Sequence, residues 1–249
     1  MPHAIRMHEH GGPEVLRWEE IESRPLEAGA IRVRHEAVGL NYIDVYHRTG
    51  LYPVPALPCV PGLEGAGVVA EVGPEVTGLE VGDRVAYASP PLGAYAEERA
   101  LPADRAVRLP EGITAETAAS LMLQGMTAEY LIRRTYPCRE GETVLLHAAA
   151  GGVGLLASQW LHALGVEVIG TVGSPAKAEL ARAHGCTHTI LYREEDIAGK
   201  VRDLTGGRGV PVVYDSVGQA TWEASLDCLQ PRGLMVSFGN SSGPVEPVH

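Results

Sequence analysis

The chain has 249 residues, of which 45% are hydrophobic and 20% charged, so it can bury one large core or two moderate ones. Its formal net charge of −11 argues against a nucleic-acid partner, because phosphate binding depends on a basic face. No uncharged apolar run reaches the roughly 18 residues of a membrane-spanning helix, and the N-terminus lacks the apolar stretch of a signal peptide. We therefore expect a cytoplasmic protein with no membrane partner.

The first part of the chain is predicted to be a β-rich domain over residues 1–112. Short β-branched runs at 4–9, 30–40, 65–73 and 82–87 are separated by glycine and proline, which is typical of short strands. The one helical candidate runs from Ile43 to Arg48 and is too short to carry the fold.

The second part, residues 113–249, alternates between strands and helices. Strands are predicted at 143–148, 167–172, 187–191, 211–216 and 233–239, and helices at 151–164, 175–184, 194–204 and 219–228. Continuous apolar strands joined by helices indicate an α/β fold with a doubly wound parallel sheet. Such dinucleotide-binding sheets usually have six strands. We therefore expect that the chain lacks the segment that would supply the last one.

A glycine-rich turn, HAAAGGVG at 147–154, follows the first of these strands and opens a helix. A turn without side chains lets the backbone approach a pyrophosphate, and the first N–H groups of the helix then face the phosphate charge. The strand before, the helix after and a second strand downstream make this a dinucleotide site. Gly151, Gly152 and Val153 are its predicted contacts, and Gly154 is expected to let helix and strand pack closely.

The end of the second strand indicates which dinucleotide binds. NAD-specific sites place an acidic residue there, whereas this chain has Gly173 and Ser174, with Lys177 one turn into the next helix. Serine and lysine would bind a 2′-phosphate that a carboxylate would repel. Tyr192 and Arg193, after the third strand, are placed to close over the same group. These residues favour NADPH over NADH, although Lys177 can also be read as a solvated helix charge.

These motifs together resemble the quinone oxidoreductase (zeta-crystallin) branch of the medium-chain dehydrogenases/reductases. The resemblance extends from HGGPEVL at 10–16 to GNSSGPV at 239–245 and includes GTVGSPAKAE, YREED and VVYDSVG. It implies a GroES-like β-rich domain followed by a Rossmann-type domain. Members of the family are longer and form homodimers along the edge of the nucleotide-binding sheet, so the expected loss of a C-terminal segment puts dimerisation in doubt.

The resemblance also implies an enzyme without zinc. Zinc enzymes of the superfamily bind the metal through a Cys in G-x-C-x-x-D and a His in G-H-E, where this chain has GLNYID and GLEGAG. Asn41 therefore replaces the Cys and Leu63 the His, and neither is a good zinc ligand. Without a Lewis acid, the acceptor must take a hydride readily, as quinones do.

The predicted function is thus NADPH-dependent reduction of a quinone-like acceptor by direct hydride transfer. Tyr46 is the first candidate for orienting or protonating the reduced oxygen, Tyr52 the second, and Asn41 is a candidate hydrogen-bond partner of acceptor or cofactor. Each tyrosine can equally be a half-buried aromatic with a satisfied hydroxyl. The remaining predicted cofactor contacts come from the family segments or from strand ends: Tyr42, Ile43, Thr127, Tyr130, Ser216, Phe238, Gly239, Asn240 and Ser241. Phe238 is as readily a core aromatic as a contact.

Three alternatives stay open. The hydride can go to a carbon–carbon double bond, as in an NADPH-dependent enone or enoyl reductase. The chain can also be a non-catalytic NADPH-binding protein, or an inactive truncated form of the enzyme.

Overall fold

A computed structural model describes residues 1–247 of the chain, which divide into two compact units, Met1–Leu123 and Gln124–His249. The division falls within a helix. Composition places the domain boundary after residue 112, in the segment that precedes this helix. That boundary stays a prediction.

The first unit is built from antiparallel strands. A five-stranded sheet has the order β6-β3-β4-β5-β7, and a separate pair is formed by β1 and β2. The elements are β1 (His3–Met7), β2 (Leu16–Glu20), β3 (Ala30–Gly39), α1 (Tyr42–Thr49), β4 (Glu64–Val72), β5 (Arg84–Ala88), β6 (Glu98–Pro102), β7 (Val107–Arg108) and α2 (Ala115–Glu129). Alternate residues of the strands, among them Ile31, Val33 and Val85, form the buried core.

The predicted strands of this unit are all present, and the predicted helix Ile43–Arg48 lies within α1. Strands β2, β6 and β7 and helix α2 are additional elements. Leu16–Glu20 reads LRWEE and pairs with β1 at the surface, so its charged residues hide the strand pattern.

The second unit contains a five-stranded, entirely parallel sheet in the order β10-β9-β8-β11-β12. Its elements are a π-helix (Tyr130–Thr135), β8 (Thr143–Leu146), α3 (Gly152–Ala163), β9 (Glu167–Val172), α4 (Pro175–Ala183), β10 (His188–Leu191), α5 (Ile197–Leu204), β11 (Val210–Asp215), α6 (Trp222–Asp227) and β12 (Leu229–Ser237). The order reverses between β8 and β11, which is the switch point where such sheets bind ligands. The predicted doubly wound sheet is confirmed.

Both faces of this sheet are buried, which explains why its strands read as continuous apolar runs. Val144 and Leu146 of β8 belong to the core on one face, and Leu145 belongs to the core on the other. Helices α5 and α6 begin three residues later than the sequence indicates. Before α5 the residues Glu194 and Glu195 form a turn on the carbonyl of Leu191, so the helix starts only after Asp196.

No helix within residues 1–247 combines the length and the apolar character that crossing a membrane requires.

Candidate functional site

The glycine-rich turn lies at the carboxyl end of β8, beside the switch point of the sheet. Ala148 adopts a left-handed conformation with φ of 52°, and the N–H of Gly151 donates to its carbonyl at 2.8 Å, which turns the chain sharply into α3. Gly151 occupies the N-cap position of α3 and has no side chain to cap it. The first N–H groups of the helix are therefore suited to an external acceptor such as a phosphate.

Close packing at this turn requires glycine at position 154, and Gly152 leaves room for the side chain of Gln124. A Cβ atom on Gly154 would approach the backbone carbonyl of Ala148 and lie 2.7 Å from the carbonyl oxygen of Ala149. A Cβ atom on Gly152 would overlap the side-chain amide of Gln124. The turn is thus a cradle that side chains would fill, and this geometry fits a dinucleotide pyrophosphate.

The residues predicted to select the coenzyme cluster where β9 and β10 end. Ser174 is the N-cap of α4, and its hydroxyl accepts from the N–H of Lys177 at 3.4 Å. A Cβ atom on Gly173 would lie 3.1 Å from the hydroxyl oxygen of Tyr192, so these two residues are in contact range. The guanidinium of Arg193 lies 5.7 Å from the centre of the Tyr192 ring. Lys177 is exposed at the surface of the same corner.

The ends of β11 and β12 bring together a second group of predicted contacts. The N–H of Phe238 donates to the Asp215 carbonyl at 2.8 Å, and that of Ser241 donates to the Ser216 carbonyl at 3.2 Å. Gly239 packs against the backbone of Ser216. Phe238 is partly buried and packs on the core of the unit, which supports its reading as a core aromatic.

Sequence reasoning missed the buried polar network beneath these strand ends. The carboxylate of Asp215 is fully buried and accepts four hydrogen bonds, from Val217 N at 2.7 Å, Gly218 N at 3.0 Å, Thr221 Oγ1 at 2.6 Å and Ser225 Oγ at 2.8 Å. The same Ser225 hydroxyl lies 2.9 Å from Nε2 of buried His147, and burial lowers the pKa of that imidazole. The only sequence signal is a lone acid closing an apolar strand. The network fixes the backbone on which Ser216 lies.

Of the two predicted contacts near the start of the second unit, Thr127 lies in the last turns of α2 and Tyr130 opens the π-helix that follows. Tyr130 is 40% exposed. Short π-helical segments often occur at functional sites. The phenol of Tyr214, which lies in the core, donates to the Leu131 carbonyl at 3.2 Å and so anchors the π-helix to the core.

In the first unit, the predicted acceptor residues lie along α1. Tyr46 is buried and packs between two other aromatic rings, with ring centres 5.3 Å from Tyr42 and 4.9 Å from Tyr52. Tyr42 is exposed and Ile43 half-buried. The helix thus brings Tyr42, Ile43 and Tyr46 together with Tyr52.

Asn41 begins α1 and is buried. It forms a capping box with Asp44, whose carboxylate accepts from the Asn41 N–H at 2.9 Å, and its side-chain amide donates to Glu64 at 2.6 Å. Burial raises the pKa values of both Asp44 and Glu64. Leu63, at the other predicted zinc position, is buried. Within residues 1–247 no group of three or more histidine, cysteine or acidic side chains stands close enough to hold a metal ion.

Comparison with known proteins places both units in one family. Residues 27–111 match the alcohol dehydrogenase GroES-like domain, which confirms the predicted domain type, and residues 152–248 match the family described as zinc-binding dehydrogenase. A quinone oxidoreductase of Pseudomonas aeruginosa is 57% identical over 251 aligned residues, covering 100% of this chain and 77% of the relative. A 2-haloacrylate reductase of a Burkholderia species is 47% identical, covering 98% of this chain and 75% of that protein.

The fold agrees equally well with a solved structure. Escherichia coli quinone oxidoreductase complexed with NADPH superposes with a TM-score of 0.98 at 51% identity, covering 99% of this chain and 76% of that one. Identity at this level over nearly the whole chain, together with the glycine cradle and the parallel sheet, establishes the relationship. The chain belongs to the quinone oxidoreductase family of the medium-chain dehydrogenases/reductases.

Proposed function

We propose that this chain catalyses the NADPH-dependent reduction of quinones by direct hydride transfer, without a bound metal. The proposal rests mainly on the glycine turn at residues 151–154. The E. coli quinone oxidoreductase, which belongs to the same family, has been solved as a complex with NADPH. The cradle has the shape and the helix N-terminus that a pyrophosphate requires.

The corner formed by Ser174, Lys177 and Tyr192 supports NADPH rather than NADH. It contains a hydroxyl and an ammonium group, and the segment from Val172 to Lys177 contains no acidic residue. A 2′-phosphate is therefore met by a cation and a hydrogen-bond donor instead of by a like charge. Tyr192 is proposed to cover the adenosine end of the nucleotide.

The remaining assignments concern the residues that would surround the nucleotide and the acceptor. Thr127, Tyr130, Ser216, Asn240 and Ser241 are proposed as polar contacts of NADPH, and Tyr42 and Ile43 as contacts on its nicotinamide side. Phe238 and Gly239, just after β12, are proposed to contact NADPH through their backbone atoms. When bound, NADPH supplies a hydride, and the acceptor then needs a proton on the reduced oxygen.

Tyr46 is the proposed source of that proton, and Tyr52 packs on its ring and fixes its orientation. Tyr46 is buried, and a donor shielded from solvent favours a directed proton transfer over one from bulk water. Asn41 would hold the acceptor side of the site through its side-chain amide, which donates to Glu64.

A second function is favoured by one specific observation. The Burkholderia relative at 47% identity is a 2-haloacrylate reductase, and its acceptor is an activated carbon–carbon double bond. The same scaffold thus serves quinone and alkene reduction in related proteins, and the chain can act as an enone or enoyl reductase. The cytoplasmic location remains a prediction. The homodimer is what the family resemblance implies, and it remains in doubt for this chain.

A substrate panel separates these functions. We would follow NADPH oxidation by absorbance with 1,4-benzoquinone, 9,10-phenanthrenequinone, an enone and a 2-haloacrylate, each with and without a metal chelator. Faster turnover of the quinones, unchanged by the chelator, is expected. Preference for the alkenes assigns the second function. Tight NADPH binding without turnover of any acceptor contradicts catalysis and favours a non-catalytic NADPH-binding protein.

A further inference from the structure

Glu64 is a fully buried acid of the first unit. It is the first residue of β4 and has no exposed surface. One carboxylate oxygen lies 2.6 Å from Nδ2 of Asn41, and the other lies 2.8 Å from the backbone nitrogen of Leu123. A buried charge is retained only when its partners compensate for lost hydration.

The contact with Leu123 is unusual because this residue lies inside α2. Backbone N–H groups in a helix interior ordinarily donate to a carbonyl four residues earlier. Here the carboxylate of Glu64 accepts from the N–H of Leu123. A side chain that enters the helical hydrogen-bond ladder in this way holds the helix at that point.

The space around the carboxylate is shaped to receive it. A Cβ atom on Gly39, the last residue of β3, would overlap Glu64 Oε2 and the Ala119 carbonyl. The absence of a side chain at position 39 therefore lets β3, β4 and α2 meet around one carboxylate. The side-chain NH₂ of Asn41 and the N–H of Leu123 both donate to this carboxylate, which as an ionised group only accepts.

Glu64 consequently dictates how the Asn41 carboxamide is oriented. Because Nδ2 of Asn41 donates to Glu64, its Oδ1 faces the N–H of Asp44 and caps α1. A reversed amide would present Oδ1 to the carboxylate and lose the cap. The orientation of Asn41 and the start of the helix that carries Tyr46 are thus coupled to one side chain on β4.

We propose that Glu64 is a positioning residue for the reaction, one that sets the orientation of the Asn41 amide and fixes α1 and α2 around it. The expected effect on activity rests on the proposed function. The orientation of Asn41 can be tested whether or not the chain turns over a quinone.

The test exchanges donor and acceptor between the two side chains. Glu64→Gln places an NH₂ group against the Asn41 NH₂ group, and Asn41→Asp places two carboxylates face to face. The double variant restores the pair with reversed polarity, because the introduced glutamine then donates to the introduced aspartate, and aspartate caps α1 as well as asparagine does. Glu36→Gln, an exposed change on β3, is the matched control.

We expect each single change to lower kcat/KM for 1,4-benzoquinone by about tenfold or more, and the double variant to recover to within about threefold of the unchanged chain. The affinity for NADPH should stay constant in Glu64→Gln and in Glu36→Gln. For Asn41→Asp alone, activity should fall as pH rises, since the paired acids repel once both are ionised. Single variants with unchanged kinetics, or a double variant that does not recover, would overturn the proposal.

An NMR measurement tests the orientation without turnover. The side-chain NH₂ of Asn41 should show slowed exchange and a shifted signal from its bond to a carboxylate, and Glu64→Gln should remove both. If the unchanged chain reduces no quinone, the proposed function fails. The NMR comparison still decides whether Glu64 orients Asn41. An Asn41 signal that is the same in both proteins contradicts it.

Discussion

The imidazole of His35 should make the first unit sensitive to mild acid. His35 lies on β3, with Nδ1 2.6 Å from the Ala96 carbonyl and Nε2 2.5 Å from the Tyr87 hydroxyl. A carbonyl can only accept, so Nδ1 carries the proton and Nε2 accepts from Tyr87. Burial, with a smaller effect of the nearby positive charge of Arg99, lowers the pKa of His35 from 6.5 to about 4, against the opposing effect of the hydrogen bond to the Ala96 carbonyl.

The magnitude follows from the two pKa values. Between pH 6.5 and pH 4 the unfolded chain binds a proton at this position and the folded chain does not, so folding loses stability as pH falls. With a folded pKa of about 4 and an unfolded pKa of 6.5, the loss is about 2 kcal/mol at pH 5. The contribution is fully present above pH 6.5.

Urea unfolding of the chain and of His35→Gln at pH 7 and pH 5 measures this loss. Glutamine does not titrate, so the variant should lose about 2 kcal/mol less than the unchanged chain on acidification. Other groups, including His47 and His147 with lowered pKa values and Asp44 and Glu64 with raised ones, cancel in the difference. His8→Gln, which removes an exposed imidazole of the same unit, serves as control.

Two results would refute this reasoning. Equal loss of stability in the chain and in His35→Gln would show that the imidazole does not resist protonation. An NMR titration that places the His35 midpoint near pH 6.5 would show the same directly, without any substitution.

Three further changes test other parts of the structure. Gly154→Ala should lower stability by about 1 to 3 kcal/mol in thermal unfolding, because the added Cβ meets backbone atoms, and it should weaken NADPH binding in a fluorescence titration. Gly125→Ala, where the added Cβ meets open space, should stabilise the chain by about 0.5 to 1 kcal/mol. Asp215→Asn should lower the free energy of unfolding by about 3 kcal/mol in urea titrations, while exposed Asp227→Asn should leave it nearly unchanged. Tyr46→Phe should lower kcat by about a hundredfold with NADPH affinity retained, and an unchanged kcat would assign the proton to another donor.

Much of the second unit could be predicted from the sequence because its signals are local. β9 is predicted at residues 167–172 and is observed there, since a mostly apolar, β-branched stretch lies between Gly165 and Gly173. The start of α4 follows from Ser174 and Pro175, and its end from Gly185, which has φ of 103°. Local residues alone determine these boundaries.

Other features depend on contacts between distant parts of the chain and could not be predicted. α6 starts at Trp222 rather than at Gln219, because Asp215 binds the N–H of Gly218 and the hydroxyl of Thr221 and holds the intervening residues in a turn. Similarly, the pattern GLEGAG shows that leucine replaces the zinc-binding histidine. It does not show the partners of the neighbouring Glu64, which lie at the start of α1 and in α2. No local pattern shows where that carboxylate points.

The coenzyme preference of quinone reduction tests the central claim most directly. We would compare kcat/KM for NADPH and NADH with 1,4-benzoquinone in the unchanged chain, in Lys177→Glu and in Lys200→Glu, a charge reversal at the only other lysine of the sequence. We expect strong preference for NADPH, loss of most of that preference in Lys177→Glu, and no change in Lys200→Glu. Equal or better use of NADH by the unchanged chain would contradict the account of the Ser174 and Lys177 corner, and the absence of quinone-dependent oxidation with either coenzyme would contradict the proposed function itself.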